Sequence, residues 1–160
     1  MKKLVGVLIA LAVVIYMMFS GGAFKKDFIF NGETYGHVKN VQRGGIINHF
    51  YTPRGVDMNS AARFVQILEM NDDIQKSDWT SVLSPLFNTY KLKSFEDNPL
   101  ECVGRNQKAG FFTKNYSAPI TVDGNEHMAI FVRIVKKEDG EDSDSEIFDM
   151  ITELKNIQFE

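Results

Sequence analysis

The chain has very little of the residues that build metal centres and disulfide scaffolds. Its 160 residues include one cysteine, Cys102, and three histidines, His37, His49 and His127. A single cysteine excludes an intramolecular disulfide framework and any cysteine-rich zinc module. The histidines are far apart in the sequence and lack the His-Glu-x-x-His spacing of zinc proteases. We therefore expect single surface or strand histidines and no metal ligands, with a zinc site built from all three as the alternative.

The sequence also lacks the local motifs of common enzyme classes. No glycine-rich phosphate loop follows a predicted strand, and no Gly-x-Ser-x-Gly motif is present. Cys102 lies in a predicted strand without a neighbouring base, which favours a buried structural thiol over the nucleophile of a hydrolase. We predict no enzymatic activity, no catalytic residue and no cofactor.

Basic residues are too few to balance the acidic ones. The chain has 18 Lys and Arg against 21 Asp and Glu, a net charge of −3. Four of the basic residues precede Asp27 and all of the acidic ones follow residue 26, so residues 27–160 carry a net charge of −7. A surface this negative repels phosphate backbones. We predict that nucleic acid is not a partner.

One long apolar run stands at the N-terminus. Residues 4–24 contain no charged side chain and lie between two pairs of lysines. As a helix they would span about 31 Å, which matches a bilayer core of roughly 30 Å. Residues 1–26 therefore predict a membrane anchor, with spanning residues Leu4, Val7, Leu8, Leu11, Val14, Ile15 and Phe19. A cleaved signal peptide, with residues 21–23 as the cleavage region, is the alternative.

The charges beside the apolar run indicate an orientation. The N-terminal amine, Lys2 and Lys3 outweigh Lys25, Lys26 and Asp27 on the other side. Because positive residues favour the cytoplasmic side, we predict a single-pass protein of the bacterial inner membrane. Its N-terminus would lie in the cytoplasm and its domain in the periplasm or another extracytoplasmic space. The inner membrane is thus a predicted partner.

Turn signals predict two hairpins within the remaining chain. Asn31-Gly32 separates strand-like residues 28–30 and 33–35, and Asp123-Gly124 separates residues 120–122 and 127–135. Such dipeptides favour two-residue hairpin loops because both positions tolerate positive φ. Runs of β-branched and aromatic residues predict further strands at residues 46–52, 101–105 and 111–116.

Apolar periodicity and one capping box predict three helices. Ala61, Phe64, Val65 and Leu68 follow an i, i+3, i+4, i+7 pattern, which predicts a helix over residues 59–70. A second apolar stripe predicts a helix over residues 77–92, kinked or restarted at Pro85. A capping box predicts the last helix. Its cap residues are Ser143 and Glu146, its buried face is Ile147, Met150, Ile151 and Leu154, and a closing strand follows at residues 157–159.

The order of these elements predicts the fold class and the domain organisation. We expect a single α+β domain over residues 27–160, with a mostly antiparallel sheet flanked by helices in an α/β/α sandwich. One N-terminal transmembrane helix would precede it.

One local pattern is shared with a known family. Phe50-Tyr51-Thr52-Pro53-Arg54-Gly55 predicts a strand that passes through a Pro-x-Gly turn into a helix, and a helix followed by a strand closes the chain at residues 147–159. Both features resemble the PsbP-like family of small exported proteins. The resemblance implies an α+β fold with varied ancillary roles and no shared catalytic residues.

The acidic segment before the last helix has part of a calcium-loop spacing. Asp142, Asp144, Glu146 and Glu153 occupy positions 1, 3, 5 and 12 of an EF-hand loop, but Ile147 stands where the loop requires glycine. We interpret the segment as a solvated loop followed by a helix cap.

The leading functional hypothesis follows from the anchor, the acidic domain and the lack of catalytic motifs. We expect a membrane-tethered extracytoplasmic accessory or interaction domain of a bacterial envelope protein complex. Its contact with a protein partner would use a sheet edge or the aromatic residues Phe111, Phe112 and Tyr116. The alternative is a cleaved, soluble periplasmic protein that binds a small ligand between sheet and helices.

Overall fold

The described part of the chain is built around one antiparallel sheet. A computed structural model describes residues 22–43, 46–70, 93–95, 98–108 and 111–160. A short 3-10 helix, Ala23–Lys25, comes first. The strands are β1 Phe28–Phe30, β2 Glu33–Arg43, β3 Ile46–Pro53, β4 Arg63–Met70, β5 Lys93–Phe95, β6 Asn98–Lys108, β7 Phe111–Val122 and β8 Asn125–Val135. One described α-helix follows, α1 Asp144–Lys155.

The sheet has the strand order β1-β2-β3-β4-β8-β7-β6-β5, and every neighbouring pair is antiparallel. Its two halves therefore meet at the pairing of β4 with β8, where Val65 lies opposite Phe131. The sheet is curved into a half-barrel. The outermost strands β1 and β5 have three residues each, so the longer strands β2 and β6 extend beyond them.

Both predicted hairpins are confirmed. Asn31 and Gly32 have φ values of 51° and 74° between β1 and β2, and Asp123 and Gly124 have φ values of 49° and 81° between β7 and β8. Two successive positive φ values define the type I′ turn, whose twist matches that of the flanking strands. The predicted strands at residues 46–52, 101–105 and 111–116 also lie within β3, β6 and β7.

The two faces of the sheet carry separate apolar clusters. On the face that we call the helix face, α1 contacts β7 and β8, and its residues Ile147, Ile151 and Leu154 are buried. Val65, Ile67 and other buried side chains belong to the same cluster. The opposite face carries a second buried cluster, formed by Leu68, Cys102, Met128, Ile130 and Val132. Strand β8 is therefore buried on both faces.

The predicted α/β/α sandwich is wrong, and the clearest error is the helix expected over residues 59–70. Residues 63–70 form β4 instead, with Val65 and Ile67 on the helix face and Leu68 on the opposite face. A strand that is apolar on both faces has so many apolar residues that some of them match the helical i, i+3, i+4, i+7 spacing by coincidence. The β-branched residues in such a segment favour a strand over a helix. The described fold is a mostly antiparallel half-barrel with a C-terminal helix. The helix predicted over residues 77–92 lies outside the described residues.

The prediction of a single-pass inner-membrane protein is also corrected. Within the described ranges, no helix has the length and apolar character needed to cross a bilayer. The predicted spanning residues, from Leu4 to Phe19, lie outside those ranges. The predicted location, with a cytoplasmic N-terminus and a periplasmic domain, is therefore withdrawn.

The C-terminal helix is confirmed with its predicted cap. The Ser143 hydroxyl accepts a hydrogen bond from the Glu146 backbone N–H, and the Glu146 carboxylate accepts one from the Ser143 backbone N–H. This reciprocal pair satisfies two backbone donors that the first helical turn would leave unpaired. The closing strand is limited to one bridge between Phe28 and Phe159, next to a bond from the Glu160 N–H to the Asp27 carbonyl.

Candidate functional site

The three histidines lie together on the helix face, under the 3-10 helix. The ring centroids of His37 on β2 and His49 on β3 are 5.7 Å apart. The Phe24 ring stacks on His49 at 4.6 Å and meets His127 of β8 edge-on at 5.0 Å. All three histidines lie on strands, which is one of the two placements that the sequence favours, and their rings are grouped in the fold. We call His37, His49, His127 and the neighbouring Glu69 the histidine cluster.

Sheet topology explains why residues so distant in sequence meet. His49 lies opposite Ile67 of β4, and Ile67 lies opposite Ala129 of β8, two residues beyond His127. Two rungs of the ladder therefore connect His49 to the segment that carries His127. Spacing along the chain contains no signal for this arrangement, because it depends on the order of strands β2-β3-β4-β8.

Glu69 and His49 form the most direct polar contact of the cluster. The two side chains meet at 2.9 Å between Nε2 and Oε2, and the His49 side chain is 3% exposed. An ionised carboxylate has no proton to donate and can only accept hydrogen bonds. In the contact with the Glu69 carboxylate, Nε2 of His49 is therefore the donor. Among the described residues, neither the buried Nδ1 of His49 nor the buried Nε2 of His37 has a hydrogen-bond partner.

Burial changes the acid–base behaviour of the other two rings. Burial, together with the nearby His49 and Lys25, lowers the pKa of His37. Burial also lowers the pKa of His127, although the Glu69 charge acts in the opposite direction. Both rings therefore favour the neutral form.

Tyr51 anchors the covering residue Phe24. Its buried hydroxyl donates a hydrogen bond to the Phe24 carbonyl. Burial is the main cause that raises the pKa of Tyr51, so the hydroxyl remains a donor over the physiological pH range. The described residues contain no group of three His, Cys, Asp or Glu side chains placed to hold a metal ion together. A zinc site with all three histidines as ligands is thus not formed in this arrangement.

Cys102 lies away from the histidine cluster, on the opposite face. It is completely buried, and its Sγ is 2.7 Å from the Ser117 hydroxyl oxygen. Burial raises the pKa of the Cys102 thiol despite this hydrogen bond. Since the thiolate is the reactive form, this environment is that of a structural thiol.

The aromatic residues predicted as an interaction surface have different environments. Tyr116 is buried against Phe131, with a centroid distance of 5.9 Å, and its hydroxyl donates a hydrogen bond to Asp142. Phe112 is half-buried, and the side chain of Phe111 lies outside the described part. Tyr116 therefore contributes to the core in this structure.

Asp142 is the centre of a second polar cluster, between the loop before α1 and strands β7 and β8. Its Oδ1 lies 2.5 Å from Lys114 Nζ and 3.4 Å from Arg133 Nη2. A cleft of about 220 Å³ opens beside Asp142, Arg133 and Met150. Burial acts to raise the pKa of Asp142, but hydrogen bonds from Lys114 and Tyr116 and the nearby positive charges outweigh it and lower this pKa.

Acid is expected to remove the stability that ionised Asp142 supplies. Its pKa is lower in the folded protein than the reference value of 3.8, so its contribution is present above that value and is lost as the pH falls through the folded-state pKa. The free energy of unfolding should differ between wild type and Asp142→Asn by a constant amount from about pH 5 to 8, and the difference should shrink below about pH 4. Urea denaturation across this range measures it. An undiminished difference at about pH 2 would contradict the assignment.

A larger cleft of about 390 Å³ lies between the C-terminal end of α1 and the β7–β8 hairpin. Pro119, Thr121, Glu126 and Asn156 are among its lining residues. Its position corresponds to the cleft between sheet and helix that the small-ligand alternative requires.

Strand β2 presents a backbone edge next to the histidine cluster. β1 pairs only with residues 33–35 of β2, while β3 pairs along nearly its whole length on the other side. Within the described ranges, residues 36–43 have no strand partner on the β1 side. Lys39 and Arg43 are exposed along this stretch.

Comparisons of the chain with protein-family models, curated proteins and solved structures find no match. The PsbP-like resemblance therefore stays a prediction.

Proposed function

We propose that the chain is a non-enzymatic interaction domain, an accessory component of a protein complex, that binds an extended acidic segment of its partner. The docking element is residues 36–43 of β2, which we call the β2 edge. The observation that carries the proposal is the eight-residue stretch of backbone left without a strand partner among the described residues. An edge of this kind can receive a further strand through main-chain hydrogen bonds.

Local backbone geometry supports residues 39–43 as the centre of the site. The register between β2 and β3 shifts between His37 and Lys39, and regular pairing continues from Lys39 to Arg43. A bulge bends the strand and increases its twist, so the regular ladder beyond it is the part suited to pairing with a straight segment.

The positive charge of the β2 edge indicates which kind of partner it binds. Residues 36–43 contain Lys39 and Arg43 and no acidic side chain, although residues 27–160 as a whole are negative. In an antiparallel pair of two β2 edges, these basic side chains would be brought together, and like charges across strands are unfavourable. An acidic extended segment from another protein would gain from the same charges, so the β2 edge favours a different partner over a second copy of the chain.

The environments of the nucleophilic and basic groups support the absence of catalysis. The Cys102 thiol is buried with a raised pKa. The rings of His49 and His127 are covered by Phe24 and are buried. A substrate would have to displace Phe24 to reach either histidine.

A peptide panel tests the proposal directly. Fluorescent eight-residue peptides with alternating Glu and β-branched residues are compared with matched peptides in which Lys replaces Glu. We expect the acidic peptides to bind, and Lys39→Glu/Arg43→Glu to weaken binding about tenfold, since each exposed ion pair contributes up to about 1 kcal/mol. Lys136→Glu/Lys137→Glu is the matched control, because both lysines are exposed and the change in net charge is identical.

Hydrogen exchange distinguishes strand addition from a general charge attraction. Binding should slow exchange of backbone amides within residues 36–43, because the added strand accepts their hydrogen bonds. Equal weakening by the two double variants, or unchanged exchange in the complex, would show that the β2 edge is not the docking element.

A further inference from the structure

Two buried imidazole nitrogens in the histidine cluster have no hydrogen-bond partner in the part of the chain that the structure describes. They are Nε2 of His37 and Nδ1 of His49, and the two rings have centroids 5.7 Å apart. Leaving a buried polar nitrogen unpaired costs about 1–3 kcal/mol, so two neighbouring cases indicate that something other than the described protein groups satisfies them. The surrounding apolar surface includes the Phe24 ring stacked on His49.

Glu69 gives His49 the orientation of a metal ligand. Because Nε2 donates to the Glu69 carboxylate at 2.9 Å, a neutral His49 ring carries its free lone pair on Nδ1. Histidine ligands of metal ions commonly have such a carboxylate behind the ring, which fixes the tautomer and increases the basicity of the ligand nitrogen.

We propose that His37 and His49 form a two-imidazole site for a divalent transition metal ion of the Zn²⁺ class, with Glu69 as the positioning residue behind His49. Imidazole nitrogen is a preferred ligand of Zn²⁺, whereas Mg²⁺ and Ca²⁺ prefer oxygen. The described residues provide no third ligand of the appropriate type at this position. Water or a small anion therefore completes the tetrahedral coordination, and the inference does not depend on the β2 edge as a docking element.

Titration of the untagged full chain with Zn²⁺ tests the site. Calorimetry should give one ion per chain, and Zn²⁺ should raise the melting temperature, because a ligand that binds only the folded state stabilises it. His37→Ala and His49→Ala should each weaken binding at least tenfold, and Glu69→Gln should weaken it by about 10- to 100-fold. Mg²⁺ should leave the melting temperature unchanged.

His127→Ala is the matched control. His127 is buried and contacts Phe24 like His49, but it is not one of the two proposed ligands. Its replacement should leave Zn²⁺ affinity within about twofold of wild type when measured on folded protein. The absorption spectrum of the wild-type chain with Co²⁺ adds a test that needs no variant: d–d bands without a thiolate charge-transfer band are expected, since Cys102 lies on the opposite face.

Three results would overturn the proposal. One is the absence of stoichiometric Zn²⁺ binding by the wild-type chain, which would mean that ordered water alone satisfies the two nitrogens. Another is binding that survives both His37→Ala and His49→Ala. The third is a Co²⁺ spectrum with thiolate ligation, which would place the ion at Cys102.

Discussion

Replacing Asp142 by alanine is expected to lower the free energy of unfolding by about 3–5 kcal/mol, because it leaves a buried ammonium group without its counter-charge. The Lys114 side chain is 5% exposed and that of Asp142 is 13% exposed, with 2.5 Å between Lys114 Nζ and Asp142 Oδ1. Tyr116 loses the acceptor of its hydroxyl in the same variant. Urea denaturation of wild type and Asp142→Ala at pH 7 measures the difference.

A double replacement separates the buried charge from the loss of packing. In Asp142→Ala/Lys114→Met the uncompensated ammonium group is removed. We expect this variant to regain most of the free energy of unfolding that Asp142→Ala loses, because replacing both members of a buried ion pair by apolar residues costs little stability. The exposed pair of Arg63 and Glu33, joined at 2.8 Å, provides the control, and Glu33→Ala should cost no more than about 1 kcal/mol. If Asp142→Ala costs no more than Glu33→Ala, the Lys114–Asp142 pair is not buried in solution.

The features that were predicted correctly from sequence are those that a few adjacent residues determine. Asn31-Gly32 and Asp123-Gly124 provide two residues that tolerate positive φ, and the turns form at those positions. The Ser143 and Glu146 cap needs only side chains three residues apart and their own backbone. Each of these signals is complete within about four residues, so the rest of the fold does not alter it.

Elements whose conformation depends on the surrounding sheet were predicted less well. Residues 63–70 match the helical period through Phe64, Val65 and Leu68, yet they form β4 between β3 and β8. Both faces of this strand are covered, so the alternation that identifies a half-exposed strand is missing. Residues 63–70 form a strand because of their position within the sheet, and that position cannot be read from the local sequence.

The candidate sites were the least predictable part of the molecule. The histidine cluster requires β2, β3, β4 and β8 to be neighbours in that order, and the β2 edge exists because β1 is only three residues long. The sequence supplied the residue types and a general expectation that a sheet edge could bind a partner. Which histidines meet, and which edge is open, follows from strand pairing over long separations in the chain.

Phe28 connects the beginning of the described sheet to the end of the chain. Its ring stacks parallel to Tyr35 at 5.7 Å and lies 4.9 Å from Tyr51 and 5.4 Å from Phe159. Phe28 also forms the β-bridge with Phe159. The side chain therefore holds β1, β2, β3 and the C-terminal residues in one aromatic cluster on the helix face.

Phe28→Ala is expected to lower the free energy of unfolding by about 3–5 kcal/mol. The smaller side chain leaves a cavity, and the surrounding aromatic rings cannot move in to fill that cavity. Ile29 is the matched control: it is the next residue of β1 but points to the other side, with 54% of its surface exposed against 0% for Phe28. Ile29→Ala should change stability by no more than about 0.5 kcal/mol. Urea midpoints of the two variants measure the contrast. A one-residue slip of β1 against β2 would exchange the environments of the two side chains, so a larger loss in Ile29→Ala than in Phe28→Ala would show that the register of Phe28 with Tyr35 is wrong.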